Sequence, residues 1–316
     1  MNLPKTIVPY LTGILSAPKR YTATFLATLV NVSHDTLTRS LKKEYDWKGV
    51  LSGLLSSIDL SSGYLIIDET DIDHSYAKKL ESAVWIFSHR FKRHIFGYYL
   101  IVLAWTNGTV TIPLVWKIYD ADTNRRKITK LTLAKELFSY AIDKLHSKPR
   151  AVLFDSYYAS GDILSWLDGK GIAFVSQVKK NRKLNGKRVD SFSGAYWTKQ
   201  GYLQNHIPGQ IVKNRKKYFI TNNLTLPRNE QLEWYHLRWR IEEVFRFTKQ
   251  ECGLESCQAT TEKIQQNHFG VCFLIYALLQ AAHQKTGDSL YAMKLKASSD
   301  LAYAQSLLNS ALFAYA

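Results

Sequence analysis

Two apolar runs in this chain each end in an aspartate: Tyr64-Leu65-Ile66-Ile67-Asp68 and Ala151-Val152-Leu153-Phe154-Asp155. A short run with no polar alternation is a strand buried on both faces, so helices must cover the sheet it belongs to. The surrounding pattern agrees. From Gly63 to Asp120 the period is that of strands. HIFGYYLIVLAW (94–105) and TVTIPLVWKIY (109–119) are rich in β-branched and aromatic residues, with Thr106-Asn107-Gly108 between them as a hairpin turn. Residues 127–146 read as an amphipathic helix, 161–167 as a short helix and 172–177 as a further strand. Strands alternating with helices after a hairpin predict an α/β fold, a mixed sheet flanked by helices.

Residues 1–60 read as helical. Phe25, Leu26, Leu29 and Val30 have helical spacing, Asn31-Val32-Ser33 supplies a turn, and Ser33 can cap a second helix carrying Thr36, Leu37 and Leu41. That is the helix-turn-helix pattern, which would turn Ser33, His34, Asp35, Thr36 and Arg39 toward a DNA groove. An ordinary helical hairpin has the same signature.

Charge bears on the partner. The formal net charge is +16 and the pI about 9.6, which favours polyanions, nucleic acid first. Residues 178–217 concentrate it: eleven Lys or Arg stand against the single acid Asp190, with Tyr196, Trp197 and Tyr202 interleaved among glycines. We read this as a basic β-rich insertion that contacts phosphates, its aromatics available to stack on bases. No uninterrupted apolar run is long enough to span a bilayer, and Pro4, Pro9 and Gly13 break the N-terminal apolar stretch. Cys252, Cys257 and Cys272 are too few for a disulfide framework and read as buried free thiols in a reducing compartment.

The segment 235–249, YHLRWRIEEVFRFTK, has neither Pro nor Gly and reads as part of one helix over 228–250. At about 100° per residue, Tyr235, Arg238, Glu242 and Lys249 share one face, with Arg246 beside them. Glu243 falls about 80° outside that arc. Two strand-end aspartates and a helical glutamate are hard oxygen donors of the kind a two-metal phosphoryl-transfer site requires. Asp68 and Asp155 at adjacent strand ends, with Glu242 on a helix packed across the sheet, form the layout of the ribonuclease H-like fold.

On these residues the sequence resembles the DDE-class transposases of bacterial insertion sequences, in the subgroup with a Y-x2-R-x3-E-x6-K signature. Tyr235, Arg238, Glu242 and Lys249 fill that signature, and the strands Ile66-Ile67-Asp68-Glu69-Thr70 and Leu153-Phe154-Asp155-Ser156 look like its first two motifs. The resemblance covers about residues 60–285. It implies that Asp68, Asp155 and Glu242 bind two Mg²⁺ ions, with Mn²⁺ able to substitute. It implies that Tyr235, Arg238 and Lys249 contact DNA phosphates near the cut end, and that Trp197 stacks on a base flipped out of a hairpin on the transposon end. Cut-and-paste strand cleavage and transfer at terminal inverted repeats, a homodimer holding transposon ends and target, and a cytoplasmic, nucleoid-associated protein follow from the same resemblance. The expected domains are a DNA-binding region at 1–60, a catalytic core at 61–177 and 218–285, the insertion at 178–217 and a C-terminal helical segment at 286–316. A nuclease that cuts without strand transfer, or a non-catalytic DNA-binding regulator, would carry many of the same residues.

Overall fold

The computed structural model describes residues 3–54, 59–119, 128–203 and 206–313; Asp120 and Lys127, which bound two of the expected segments, lie outside them. Four helices open the chain: α1 (Val8–Ser16), α2 (Ala23–Val30), α3 (His34–Leu41) and α4 (Trp47–Gly53). The Ser33 hydroxyl accepts from the Thr36 N–H at 3.1 Å, and Asn31 takes the left-handed conformation that ends α2.

The central sheet is mixed and has nine strands. β1 (Tyr64–Asp73) pairs antiparallel along its whole length with β3 (Arg93–Thr106). The other edge of β3 is divided between β2 (Val84–Ser88) and β4 (Thr111–Tyr119). β5 (Val152–Phe154) and β6 (Phe174–Val178) follow β1 as parallel neighbours. Gly97 is required where β3 crosses the end of β1, since a Cβ there would lie 2.0 Å from the Ile72 carbonyl oxygen. Gly108 closes the β3–β4 turn at φ +93°, and the Asn107 side chain caps it by accepting from the Val110 N–H at 2.8 Å.

The basic stretch does not stand apart from this sheet. Within it, β7 (Lys183–Leu184) and β8 (Lys187–Arg188) form a small separate ribbon. β9 (Tyr196–Tyr202) and β10 (Pro208–Asn214) instead join β11 (Lys217–Thr221), which pairs with β6. The strand order is β2-β3-β1-β5-β6-β11-β10-β9.

Helices α5 (Lys130–Ser139), α6 (Gly161–Gly169), α7 (Arg228–Leu237) and α8 (Arg240–Glu251) precede the 25-residue α9 (Glu262–Thr286). From Ile264 to Gln280 nearly every residue of α9 is buried, which makes it a core helix rather than an amphipathic one. Then come α10 (Leu290–Ser299) and α11 (Leu301–Phe313). No described helix is long and apolar enough to cross a membrane.

The N-terminal helices share this core. Trp47 donates its indole N–H to Asn267 at 2.7 Å, and Asn267 donates to the Leu41 carbonyl at 2.7 Å. Tyr10 and His268 are hydrogen-bonded at 2.8 Å. Burial pushes the His268 imidazole down to about 4 from its ordinary 6.5. The unfolded chain therefore takes up this proton first. The share of stability that depends on His268 should be full above about pH 6.5 and fall as the pH drops toward 4, by about 3 kcal/mol. Buried carboxyls that are raised in the folded state act in the opposite direction over the same range, so the difference between the parent and His268→Gln in urea denaturation, read at each pH, isolates it.

Candidate active site

β5 pairs with β1 only at Leu65 and Ile66. Beyond Ile66 β1 continues in its pairing with β3 without β5 on its other edge, and α8 packs against it. The expected single helix over 228–250 is divided here. The N–H groups of Arg238, Trp239, Ile241 and Glu242 bond to the third residue back, at 3.0–3.2 Å. This tighter winding separates α7 from α8 and turns each residue further than an α-helix does. Tyr235 and Glu242 are therefore not on one continuous helix face, as regular α-helical spacing predicts. The physical cause is tertiary: Arg238 at the break reaches across to β1.

There the Arg238 guanidinium donates to Asp68 Oδ2. Its other nitrogen lies 3.6 Å from Glu242 Oε1. One cation thus stands between two of the expected carboxylates. Glu243 turns away and pairs with Arg240 at 2.8 Å. Asp155 follows β5 directly. Its Oδ1 accepts from the Tyr157 N–H at 2.8 Å, which fixes the carboxylate at the start of the turn.

Burial pushes the Asp68 carboxyl up to about 7; Arg238 opposes this, while Glu69, Glu242 and Asp155 add to it. Asp155 is raised as well, by burial first, with the Tyr157 amide opposing and Glu69 adding to the rise. Asp68 and Asp155 thus both sit where burial disfavours their charged form, and Arg238 opposes the rise at each.

Lys249, at the far end of α8, is committed elsewhere. Only 10% of its side chain is exposed, and it contacts Asp71 Oδ1 at 3.2 Å and Glu255 Oε1 at 3.0 Å. Tyr235 is half-buried with its ring 4.8 Å from that of Phe219. Arg246 is exposed on α8, and Arg39 is exposed on α3. Trp197 stands on β9, five strands away from β1, and packs against Phe192 and Tyr218. Its neighbours Tyr196 and Tyr202 are the exposed aromatics of that strand. A groove of about 750 Å³ opens beside the Asp155 turn, lined by Tyr157, Lys179, Arg182, Lys183 and Tyr202 among others.

Two features escaped the sequence reading. Glu69, on the opposite face from Asp68, accepts from Lys130 at 2.9 Å and from the Tyr158 hydroxyl. Lys130 also sits 3.2 Å above the Tyr99 ring. Strand alternation already puts Glu69 on the face opposite Asp68; nothing local names Lys130 or Tyr158 as its partners. The second feature is β2, whose five residues are framed by polar segments.

Among the described residues, no three His, Cys, Asp or Glu side chains are close enough to hold one metal ion together. Two ions shared among three carboxylates do not need all three on either one. The donor set itself suits hard cations: oxygen ligands only, partly buried, with charge repulsion a divalent ion would relieve.

Asp68, within β1 two residues past its pairing with β5, and Asp155, directly after β5, thus stand on neighbouring parallel strands, and Glu242 shares the Arg238 guanidinium with Asp68. Asp68 is not at a strand end, as its apolar run suggests, because β1 continues to Asp73 in antiparallel pairing with β3. The chain belongs to the transposase DDE domain family, whose model matches residues 61–278. No curated protein matches its sequence. Among solved structures, it is similar to the piggyBac transposase in a cryo-EM synaptic complex with hairpin DNA. The TM-score is 0.61 over 99% of this chain and 73% of that one, at 11% identity. At that identity the likeness is one of fold. The Mos1 mariner transposase in a paired-end complex with Mn gives a TM-score of 0.21 at 14% identity, over 55% of this chain and 60% of that one. A superposition that weak carries no argument.

Proposed function

We propose that this chain is a cut-and-paste transposase of the bacterial insertion-sequence subgroup with the Y-x2-R-x3-E-x6-K signature, acting from a ribonuclease H-like core. The observation that carries this reading is Asp68 and Asp155 on the neighbouring parallel strands β1 and β5, with Glu242 sharing the Arg238 guanidinium with Asp68. Asp68, Asp155 and Glu242 would hold two Mg²⁺ ions, or Mn²⁺ in their place. Bound there, the ions supply an activated water or 3′-hydroxyl nucleophile and neutralise charge on the phosphate.

The protein's own groups do the rest. The Arg238 fork, which neutralises Asp68 in this structure, suits bidentate contact with a phosphate. Tyr235, Arg246 and the basic groove beside Asp155 extend the phosphate-binding surface. Trp197 would have to leave its packing with Phe192 and Tyr218 to stack on a flipped base, and Lys249 would have to leave Asp71 to reach a phosphate. The region 1–60, with Arg39 exposed on α3, is the proposed reader of the terminal repeats. The divisions at 61–177, 178–217, 218–285 and 286–316 are functional parts of one shared core. A homodimer would hold two transposon ends and a target, with a hairpin intermediate at the ends.

The reading is tested with purified protein and DNA carrying its gene's own flanking ends, with and without Mg²⁺. Metal-dependent cuts at both ends, followed by insertion with a short direct duplication, are expected. Cuts without insertion would make the protein a nuclease, and metal-independent binding without cuts a regulator. DNA affinity should also drop steeply with salt, by about 10³-fold or more between 50 and 200 mM if six or more phosphates are contacted. Anisotropy titrations across that range measure it.

A further inference from the structure

Glu69 connects the two aspartates of the proposed site. Its own N–H donates to Asp68 Oδ1 at 2.9 Å, while Arg238 holds Oδ2 of the same carboxylate. Its side chain accepts from the Tyr158 hydroxyl through Oε2. Tyr158 in turn gives its backbone N–H to Asp155 Oδ1 at 3.4 Å, beside the Tyr157 N–H at 2.8 Å. One residue on β1 thus reaches Asp68 through its backbone and the Asp155 turn through its carboxylate.

Strand pairing leaves this link something to do. β5 has three residues, and its pairing with β1 ends at Ile66, before Asp68 is reached. The ladder therefore does not fix Asp155 against Asp68, and side chains must. Tyr158 is fully buried, so its hydroxyl needs a partner; a carboxylate accepting from it makes a charge-assisted bond.

A cation brought from α5 holds the Glu69 carboxylate in turn. Lys130 Nζ lies 2.9 Å from Oε1, and the two side chains are only 12% and 20% exposed. Lys130 is the first residue of α5, where a cation stands against the helix dipole, and no acid shares that first turn. Its position is explained by the partner on β1, not by the helix. The ammonium also sits over the Tyr99 ring and lies 5.5 and 5.9 Å from the rings of Tyr157 and Tyr119. Tyr157 belongs to the Asp155 turn, so Lys130 meets that turn both directly and through Glu69.

We propose that Glu69 is a positioning residue for divalent-metal binding: its N–H sets Asp68, and its carboxylate, neutralised by Lys130, sets the Asp155 turn through the Tyr158 hydroxyl. The ligand role of the two aspartates rests on the transposase reading; Glu69 itself, with a partner on each oxygen, touches no ion. Groups that orient a metal's ligands set its affinity by about ten- to hundredfold.

Tyr158→Phe removes one hydroxyl and keeps the buried ring. Glu69→Gln keeps an acceptor for that hydroxyl, and Glu69→Ala removes it. Three readouts are taken on the full chain: hydrogen exchange of residues 155–160 without metal, Mn²⁺ binding by electron spin resonance without DNA, and cleavage of flanking-end DNA against Mg²⁺ concentration. In Tyr158→Phe, exchange at 155–160 should quicken about tenfold while α9 is unchanged. Mn²⁺ affinity should fall about tenfold, and half-maximal cleavage should need about tenfold more Mg²⁺, with excess Mg²⁺ restoring most of the rate. Glu69→Gln should stay nearer the parent than Glu69→Ala. Adding Tyr158→Phe to Glu69→Ala should cost no more than about a further twofold in Mn²⁺ affinity, since both act through one link.

Unchanged exchange at 155–160 would overturn the proposal whatever the protein cuts. So would a lowered melting temperature with parental Mn²⁺ affinity, which would make the link a matter of stability alone. A parent that neither binds Mn²⁺ nor cuts sinks the transposase reading and this inference with it. A parent that does both, beside an unaffected Tyr158→Phe, sinks this inference alone.

Discussion

Asp155→Ala is expected to bind DNA about as tightly as the parent and to lose at least about a thousandfold in cleavage rate, since metal charge stabilisation of the transition state is worth several kcal/mol and each 1.36 kcal/mol is tenfold. The structure separates this loss from a folding defect. Burial raises the Asp155 carboxyl above its ordinary value, so the charged group opposes the folded state rather than holding it together. What the side chain gives the fold is its Oδ1 contact with the Tyr157 amide at 2.8 Å, worth about 1 kcal/mol. Asp155→Asn keeps an acceptor for that amide and removes only the charge. Both variants should therefore melt near the parent, both should bind duplex ends, and neither should cut. Gel assays with labelled ends at several Mg²⁺ concentrations, beside a thermal melt, decide the matter. Full cleavage by Asp155→Asn would remove Asp155 from the site and undo the carboxylate set with it.

The second large effect concerns Lys249, and here the expected change is in stability. Its ammonium is held against Asp71 and Glu255, and Asp71 itself is only 8% exposed. Burial pushes the Asp71 carboxyl up, but the Ser88 hydroxyl and the Lys249 ammonium more than offset this and hold it below the ordinary value. Lys249→Ala would leave a buried carboxylate without its cation, a change that costs about 3–5 kcal/mol. Adding Asp71→Asn should restore a substantial part, a coupling of about 1–3 kcal/mol in a double-mutant cycle. Urea titrations of the four proteins give it directly. If Lys249→Ala unfolds like the parent while DNA affinity falls, Lys249 is a phosphate ligand and its pairing with Asp71 is incidental.

The parts of the fold that were readable in advance are the local ones. β3 and β4 are apolar runs bounded by turn residues, and the Asn107-Gly108 turn has one ready geometry; of β1 the apolar half was readable, but not its polar continuation to Asp73. Ser33 caps α3 through a contact three residues away. What local spacing does not give has a different origin. Segment 235–249 contains no helix breaker, so propensity joins α7 to α8. The break at Arg238 is set by an aspartate 170 residues away. Lys249 looks like a surface cation because its partner Asp71 is 178 residues distant. The basic stretch reads as an insertion by composition, yet β11 pairing with β6 makes its strands part of the main sheet. Asp68 and Asp155 could be picked out as candidates because an apolar run ends at each, and Glu242 because of its spacing from Tyr235, Arg238 and Lys249. Arg238 as the cation between them was not, because side-chain reach is invisible to spacing.

The unbroken hydrogen-bonding from β1 to β9 turns the sheet into a ruler. Five strand steps separate them, and at about 4.8 Å per step that is roughly 24 Å. Along a duplex with about 3.4 Å between base pairs, this equals roughly seven base pairs. The basic strand β9 and Asp68 on β1 are thus held at a fixed interval, marked off by backbone rather than by a hinged arm.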